Sequence, residues 1–143
     1  MIYAFLANGF EETEAIVPID LIRRCEKDLV TVGVGGQIIK GSHGIPVFAD
    51  IEEREIVLDE NLEMIILPGG MPGTINLEKS EYVQKAVDFC VENNVSIASI
   101  CAAPSILGHK GILDGKRACC YTGYDTQLGN AIYDADAKVC VDG

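Results

Sequence analysis

Short apolar segments alternate with amphipathic ones along this chain, and the alternation limits its fold more than any other sequence feature. Four runs rich in apolar residues predict strands buried in a parallel sheet: 1–7, 28–34, 62–67 and 96–100. Apolar residues recur at helical spacing in 14–26 and again up to residue 93, where Ser80 is the predicted N-cap. Strands that alternate with helices predict an α/β fold whose mainly parallel sheet is covered on both faces.

Two further segments lie between the second and third of these strands. Glycines separate the short segments 37–40 and 45–50, which we interpret as an edge hairpin. Seven of the fourteen residues in 50–63 are acidic. We interpret that stretch as a solvated connection at the rim of the sheet.

The acidic balance of the chain argues against several classes of partner. It carries 22 acidic and 11 basic residues, a net charge of −11, so its surface repels nucleic acids and anionic membranes. Its 143 residues have the length of one domain, predicted to span 1–143. No segment has the pattern of a secretory signal or of a transmembrane helix. Six cysteines without an export signal therefore predict a reduced, cytoplasmic protein.

Only one cysteine stands where a reactive thiol is expected. Cys119 and Cys120 would point to opposite faces of a strand, and the chain has no CxxC motif, so no metal site is predicted. Cys101 directly follows the strand at 96–100 and precedes Pro104, which suits a first helical turn. Three other cysteines lie in apolar patterns and are predicted to be buried: Cys25, Cys90 and Cys140.

The carboxyl ends of parallel strands meet at one edge of a sheet, where ligands bind. Three strand ends are predicted to converge there: 8–14, 68–73 and 101–103. Cys101 would then lie on a tight strand-to-helix turn, exposed above the sheet as a nucleophile elbow. The amides and dipole of the following helix are expected to favour its thiolate.

Carboxylates and glycines supply the other candidate groups. Glu11, Glu12 and Glu14 crowd the first strand end, and Glu14 lies one helical turn inward of Glu11. A carboxyl beside a thiolate stays protonated because of the like charge, and can donate to the sulfur or act as a general acid. Gly69 and Gly70 let backbone amides approach an anion closely. The Lys-Ser/Thr pair of a phosphate loop is missing.

Three motifs therefore occur in order: GFEETE at 9–14, LPGG at 67–70 and ASICAAP at 98–104. With them the sequence resembles the ThiJ/PfpI superfamily of class I glutamine amidotransferase-like proteins. It is most similar to the branch that contains the parkinsonism-associated protein deglycase and its bacterial relatives. The resemblance covers nearly the whole chain. It implies a flavodoxin-like (Rossmann-like) three-layer α/β sandwich and a homodimer.

The resemblance also implies a site. The family's elbow cysteine falls on Cys101, and its acidic partner, a protonated carboxyl that donates to the sulfur, falls on Glu14. The amides of the anion pocket fall on Gly70 and Ala102. No cofactor and no metal are implied. Three further residues are expected to line the pocket: Gly69, Glu11 and Tyr121.

The chain departs from the family in two places. In relatives a histidine often follows the cysteine or lies across the pocket, and these positions hold Ala102 and Tyr121. His43 and His109 are expected to have surface or helix-end roles, so protease activity and histidine-dependent glyoxalase chemistry are disfavoured. Relatives also continue past 139–143 with another strand and a helix, which the domain 1–143 is expected to lack.

Three functions are open at this point. The first is a cofactor-independent enzyme of the glyoxalase, deglycase or amidase type, in which Cys101 attacks a small reactive carbonyl or its adduct. The second is an oxidative-stress sensor or redox-regulated chaperone, in which Cys101 is oxidised to sulfinate. The third is a binder of a nucleotide or flavin. An older family label is 4-methyl-5(beta-hydroxyethyl)-thiazole monophosphate biosynthesis protein, so membership predicts the site better than the substrate.

Overall fold

Nine strands and four helices make up the structure, a computed structural model that describes residues 1–143. In chain order they are β1 (Ile2–Ala7), α1 (Glu12–Arg24), β2 (Leu29–Val34), β3 (Ile38–Lys40), β4 (Pro46–Phe48), β5 (Ile51–Glu52), β6 (Met64–Leu67), α2 (Gly73–Lys79), α3 (Glu81–Asn93), β7 (Ser96–Ser99), α4 (Pro104–His109), β8 (Arg117–Ala118) and β9 (Ile132–Tyr133). Short 3₁₀ turns lie at Glu53–Glu55 and Asp125–Gln127. No helix is both long and apolar enough to cross a bilayer.

The central sheet contains five parallel strands in the order β5-β2-β1-β6-β7. All six residues of β1 are buried. Its side chains alternate between two cores, since Tyr3 and Phe5 pack on one face while Ala4 and Leu6 pack on the other. The first core also holds apolar residues of α2, α3 and α4, and the second holds those of α1. The predicted mainly parallel sheet with helices on both faces is therefore confirmed.

Helix α1 begins two residues earlier than its apolar spacing predicts, at Glu12. The Glu11 side chain caps it by accepting a hydrogen bond from the Glu14 amide at 2.8 Å. Pro18 lies inside the helix rather than at its start. Helix α3 begins after the predicted cap, and the Ser80 hydroxyl accepts from the Val83 amide at 3.2 Å.

Two expectations about the connections need correction. The segments 37–40 and 45–50 do form an antiparallel hairpin, β3 with β4, but it is a separate two-stranded sheet. The acidic stretch 50–63 is more than a solvated connection, because β5 pairs with β2 at the edge of the central sheet. Asp50 anchors this edge by accepting hydrogen bonds from the Thr31 amide and hydroxyl, each at 2.7 Å.

Candidate active site

Backbone hydrogen bonds join the three strand ends at the carboxyl edge of the sheet. The Glu11 amide donates to the Gly69 carbonyl at 2.9 Å, which ties the end of β1 to the end of β6. The Ile100 amide donates to the Leu67 carbonyl at 3.3 Å, which ties the end of β7 to that of β6. The turns that follow β1, β6 and β7 therefore form one continuous surface.

Cys101 occupies a strained turn on this surface. Its φ is +63°, in the left-handed region, which costs a residue with a side chain about 1–3 kcal/mol. The Ala103 amide donates to the Ile100 carbonyl at 3.0 Å across the turn, and the Tyr121 amide donates to the Cys101 carbonyl at 2.8 Å. These bonds hold the conformation, which leaves the thiol half-buried at the start of α4.

Glu14 reaches the thiol from the first turn of α1. The Gly69 amide donates to its Oε2 at 3.0 Å, and the carboxyl is hydrogen-bonded to the Cys101 thiol. Gly69 lies between these two side chains: a Cβ on Gly69 would be 2.6 Å from Glu14 Oε2 and 2.6 Å from Cys101 Cβ. Only a glycine leaves room for the two side chains to meet here.

The pKa of the Cys101 thiol shifts opposite to the predicted direction. Burial raises it first, and the hydrogen bond and negative charge of Glu14 raise it further. The amides of Ala102 and Gly70 favour the thiolate, but they do not outweigh the other two effects. The sequence argument considered the local helix amides, whereas burial and the Glu14 carboxyl have the larger effects. Cys101 and Glu14 therefore form one coupled pair in which the position of a proton decides the charge of the sulfur.

Two backbone amides complete the surroundings of the sulfur. Those of Gly70 and Ala102 hydrogen-bond to Cys101. Gly70 has a φ of +94°, and a Cβ there would lie 2.4 Å from the Glu11 amide nitrogen. This tight approach requires glycine. The structure thus brings together Cys101, Glu14, Gly70 and Ala102, with Gly69 between them.

The two remaining residues of the predicted pocket make different contacts. Glu11 caps α1 with its carboxylate, so its described hydrogen bond is to the Glu14 amide rather than to a pocket group. Tyr121 contacts Cys101 through its backbone amide, while its side chain is largely exposed, with a relative accessibility of 61% for the residue. Neither side chain forms a hydrogen bond with the Cys101 sulfur.

Sequence reasoning missed a cluster beside the site, formed by Glu12 and His43. Glu12 is buried, and its Oε2 lies 2.8 Å from His43 Nδ1 while its Oε1 accepts from the His43 amide at 2.8 Å. Burial raises the pKa of Glu12, but the hydrogen bonds outweigh it and lower the pKa to about 2. The same side-chain hydrogen bond raises the pKa of His43. With Glu11 these groups could hold a cation, but each carboxylate already accepts protein hydrogen bonds, Glu11 from the Glu14 amide and Glu12 from His43 and the Ser42 hydroxyl.

Of the three cysteines that apolar patterning predicted to be buried, only Cys90 is buried. Cys90 is buried, and desolvation raises the pKa of its thiol to about 11. Cys25 was expected to be buried but is exposed, because it caps the C-terminus of α1 beyond the core-facing stripe. Cys140 was also expected to be buried but is half-exposed, in a segment outside the sheet.

The sequence is similar to those of proteins in one known family. The sequence model of the DJ-1/PfpI family matches residues 1–143. The chain is 34% identical over 140 residues to DJ-1 homolog B of Arabidopsis thaliana, covering 96% of this chain and 32% of that protein. It is 33% identical over 140 residues to a deglycase of Pyrococcus abyssi, covering 96% and 82% of the two chains. It thus spans about a third of the plant relative's length and most of the archaeal one's.

Solved structures show the same architecture. DJ-1beta of Drosophila melanogaster superposes with a TM-score of 0.92 at 30% identity, over 99% of this chain and 77% of that one. A DJ-1 superfamily protein of Salmonella typhimurium gives 0.91 at 32% identity with the same coverage. Oxidised DJ-1 of Toxoplasma gondii gives 0.91 at 30% identity, again over 99% and 77%.

Proposed function

Because this chain belongs to the DJ-1/PfpI family, we propose that it is a cofactor-independent enzyme of the glyoxalase or deglycase type. Its substrates would be small reactive carbonyl compounds or their adducts. One observation carries the proposal: the Cys101 sulfur is held between the Glu14 carboxyl and the amides of Gly70 and Ala102. The archaeal relative named as a deglycase supports the substrate class.

The first step is addition of Cys101 to the carbonyl carbon. The thiol proton passes to Glu14, the sulfur forms a bond to carbon, and the carbonyl π electrons move to oxygen. Amides of Gly70 and Ala102 stabilise that developing oxyanion. Glu14 then returns the proton to the oxygen, which gives a neutral hemithioacetal.

A 2-oxoaldehyde such as methylglyoxal can proceed from this adduct without an external oxidant or reductant. Glu14 removes the proton from the carbon bonded to sulfur and delivers it to the neighbouring carbon. The hydroxyl proton passes from the first oxygen to the second, so that the adduct becomes a thioester of a 2-hydroxy acid. Water cleaves the thioester and restores the Cys101 thiol. The balance is methylglyoxal plus water to lactate.

Glu14 carries the protons in this scheme because both histidines are engaged elsewhere. His43 contacts Glu12 at 2.8 Å. His109 contacts Glu78 through Nδ1 and Gln127 through Nε2, the latter at 2.8 Å. Hydrolysis of peptides, which needs a proton donor for a poor amine leaving group, is disfavoured for the same reason.

The test is lactate formation from methylglyoxal by the wild type, Cys101→Ala and Cys25→Ala. Cys25 is exposed and lies at the far end of α1, so its replacement controls for the loss of a reactive surface thiol. We expect Cys101→Ala to fall to the uncatalysed rate and Cys25→Ala to match the wild type. Equal turnover by the wild type and Cys101→Ala would remove the mechanism.

A second candidate is an oxidation sensor that, as a redox-regulated chaperone, would act without turnover. The oxidised Toxoplasma gondii relative favours it, as do the amides that hydrogen-bond to the Cys101 sulfur. Two equivalents of hydroperoxide would convert the thiolate to sulfinate, each transferring one oxygen and releasing water or an alcohol. After mild peroxide treatment, two added oxygens on Cys101 alone would support this function. Uniform oxidation of all six cysteines would contradict it.

A homodimer in a reducing cytoplasm is also part of the proposal. The six cysteines are all free thiols, which suits that compartment. Ile38 and Phe48 are cross-strand partners in the hairpin and are 67% and 68% exposed, and Leu21 of the adjacent α1 is 55% exposed. Such exposed apolar side chains are typical of a contact surface. Sedimentation should show a dimer for the wild type and a monomer for Phe48→Glu; a wild-type monomer would refute it.

A further inference from the structure

A second group of cysteines lies near the candidate active site but outside it. Cys119 and Cys120 directly follow β8, and the next residue, Tyr121, donates its amide to the Cys101 carbonyl at 2.8 Å. Cys140 belongs to the segment that follows β9. All three cysteines are free, and none of them is fully buried.

The chain turns after β9. Strand β9 runs parallel to β8, and the Asp134 carboxylate then accepts from the amides of Asp136 at 3.2 Å and Ala137 at 3.1 Å. This turn leads into residues 138–142, here called the returning segment.

Polar contacts fix the returning segment beside β8. The Arg117 amide donates to the Asp142 carboxylate at 2.8 Å, and Lys116 Nζ donates to the Asp142 carbonyl at 3.2 Å. These contacts bring the returning segment, which contains Cys140, beside the strand that Cys119 directly follows.

Cys119 and Cys140 are close neighbours. Burial raises the pKa of the Cys140 thiol first, and the hydrogen bond and charge of Cys119 raise it further. Burial raises the pKa of the Cys120 thiol first, and Asp125, Cys119 and Cys101 raise it further, but Cys140 does not contribute.

We propose that Cys119 and Cys140 are an oxidative modification site, which closes to a disulfide when the protein meets a hydroperoxide. One thiolate attacks the peroxide, the O–O bond breaks, and a sulfenic acid forms with release of an alcohol or water. The second thiol attacks the sulfenic sulfur and releases water. One hydroperoxide is reduced, and the two thiols together lose two hydrogens.

The disulfide would tie the returning segment to β8. The chain from β8 leads through Cys120 to Tyr121, whose amide holds the Cys101 carbonyl. Oxidation at Cys119 and Cys140 therefore restrains the backbone that borders the active-site turn. The disulfide involves neither Cys101 nor Glu14, so this proposal can be tested independently of the proposed function.

The test is peptide mapping of the peroxide-treated chain under non-reducing conditions, after remaining thiols are alkylated. Trypsin cleaves after Arg117 and Lys138, so Cys119 and Cys120 share the peptide 118–138 and Cys140 lies in the peptide that starts at Val139. We expect these peptides to be linked, with two hydrogens lost, and separated by a reductant. The link should migrate with single chains on a non-reducing gel.

Two matched variants identify the partner. The link should persist in Cys120→Ser and disappear in Cys119→Ser. A link that survives in Cys119→Ser would overturn the assignment, as would a link found only between two chains. Recovery of fully alkylated Cys140 at peroxide doses that already oxidise Cys101 would overturn it as well.

Discussion

Replacement of Gly69 by alanine tests whether the contact between Cys101 and Glu14 is needed for activity. The added Cβ would lie 2.6 Å from Glu14 Oε2 and 3.1 Å from Cys101 Sγ, whereas ordinary contacts begin at 3.4 Å. Because Cys101 Cβ would also lie only 2.6 Å away, both side chains must move, each by about 3.4 − 2.6 = 0.8 Å. Misplacement of a reacting group by about 1 Å can cost roughly 100-fold in rate. We expect kcat/KM for methylglyoxal to fall by about 10- to 100-fold.

A control separates this effect from general destabilisation. Overpacking at Gly69 should lower the free energy of unfolding by about 1–3 kcal/mol. Gly35 has a φ of +83° and open space around its missing Cβ, so Gly35→Ala should cost a similar 1–2 kcal/mol or so through backbone strain alone. Urea denaturation and lactate formation are measured on both variants under conditions where each is folded. Wild-type turnover by Gly69→Ala would refute the reasoning, as would an equal loss in Gly35→Ala.

Two further predictions concern stability and pH. Ser80 caps α3, so Ser80→Ala should lower the free energy of unfolding in urea by about 1 kcal/mol; an unchanged value would contradict the cap. Glu12 stabilises the fold above its ordinary pKa of 4.5 and loses this effect as the pH falls towards about 2. The stabilisation by His43 is complete below its ordinary pKa of 6.5 and is lost as the pH rises through its raised value. The pair is therefore strongest between pH 4.5 and 6.5. An NMR titration of His43 should have its midpoint above 6.5 in the wild type and a lower one in Glu12→Gln; a wild-type midpoint at or below 6.5 would count against the pair.

The sheet and the position of the elbow could be predicted because both depend on local sequence. The apolar run of β1 predicts burial on both faces, and the side chains of Tyr3 and Phe5 pack opposite to those of Ala4 and Leu6. The break after β7 similarly predicts that Cys101 stands at the carboxyl edge of the sheet. Helix α2 was not predicted, because its N-cap is Pro72 and its first residue is Gly73, two residue types that usually mark a break in regular structure.

Features that depend on distant parts of the chain could not be predicted in this way. Strand β5 forms because β2 offers a free edge, which no pattern within 50–63 reveals. The contact of Glu12 with His43 joins residues 31 positions apart. The pKa of Cys101 rises because burial and a side chain from α1 both disfavour the thiolate, and together these effects exceed that of the local helix amides. The local sign of the buried carboxylate is the glycine at position 41. A Cβ at Gly41 would lie 2.3 Å from Glu12 Oε1.

The most direct measurement of the coupling between Cys101 and Glu14 compares alkylation with turnover in Glu14→Gln. The rate of Cys101 alkylation by iodoacetamide is followed against pH, and lactate formation is measured on the same samples. Burial and the charge of Glu14 both raise the pKa of Cys101, so loss of the charge should lower that pKa and speed alkylation at neutral pH. Turnover should nevertheless fall, because the proton carrier is gone. Alkylation and turnover that both match the wild type would show that the two side chains do not work as a pair.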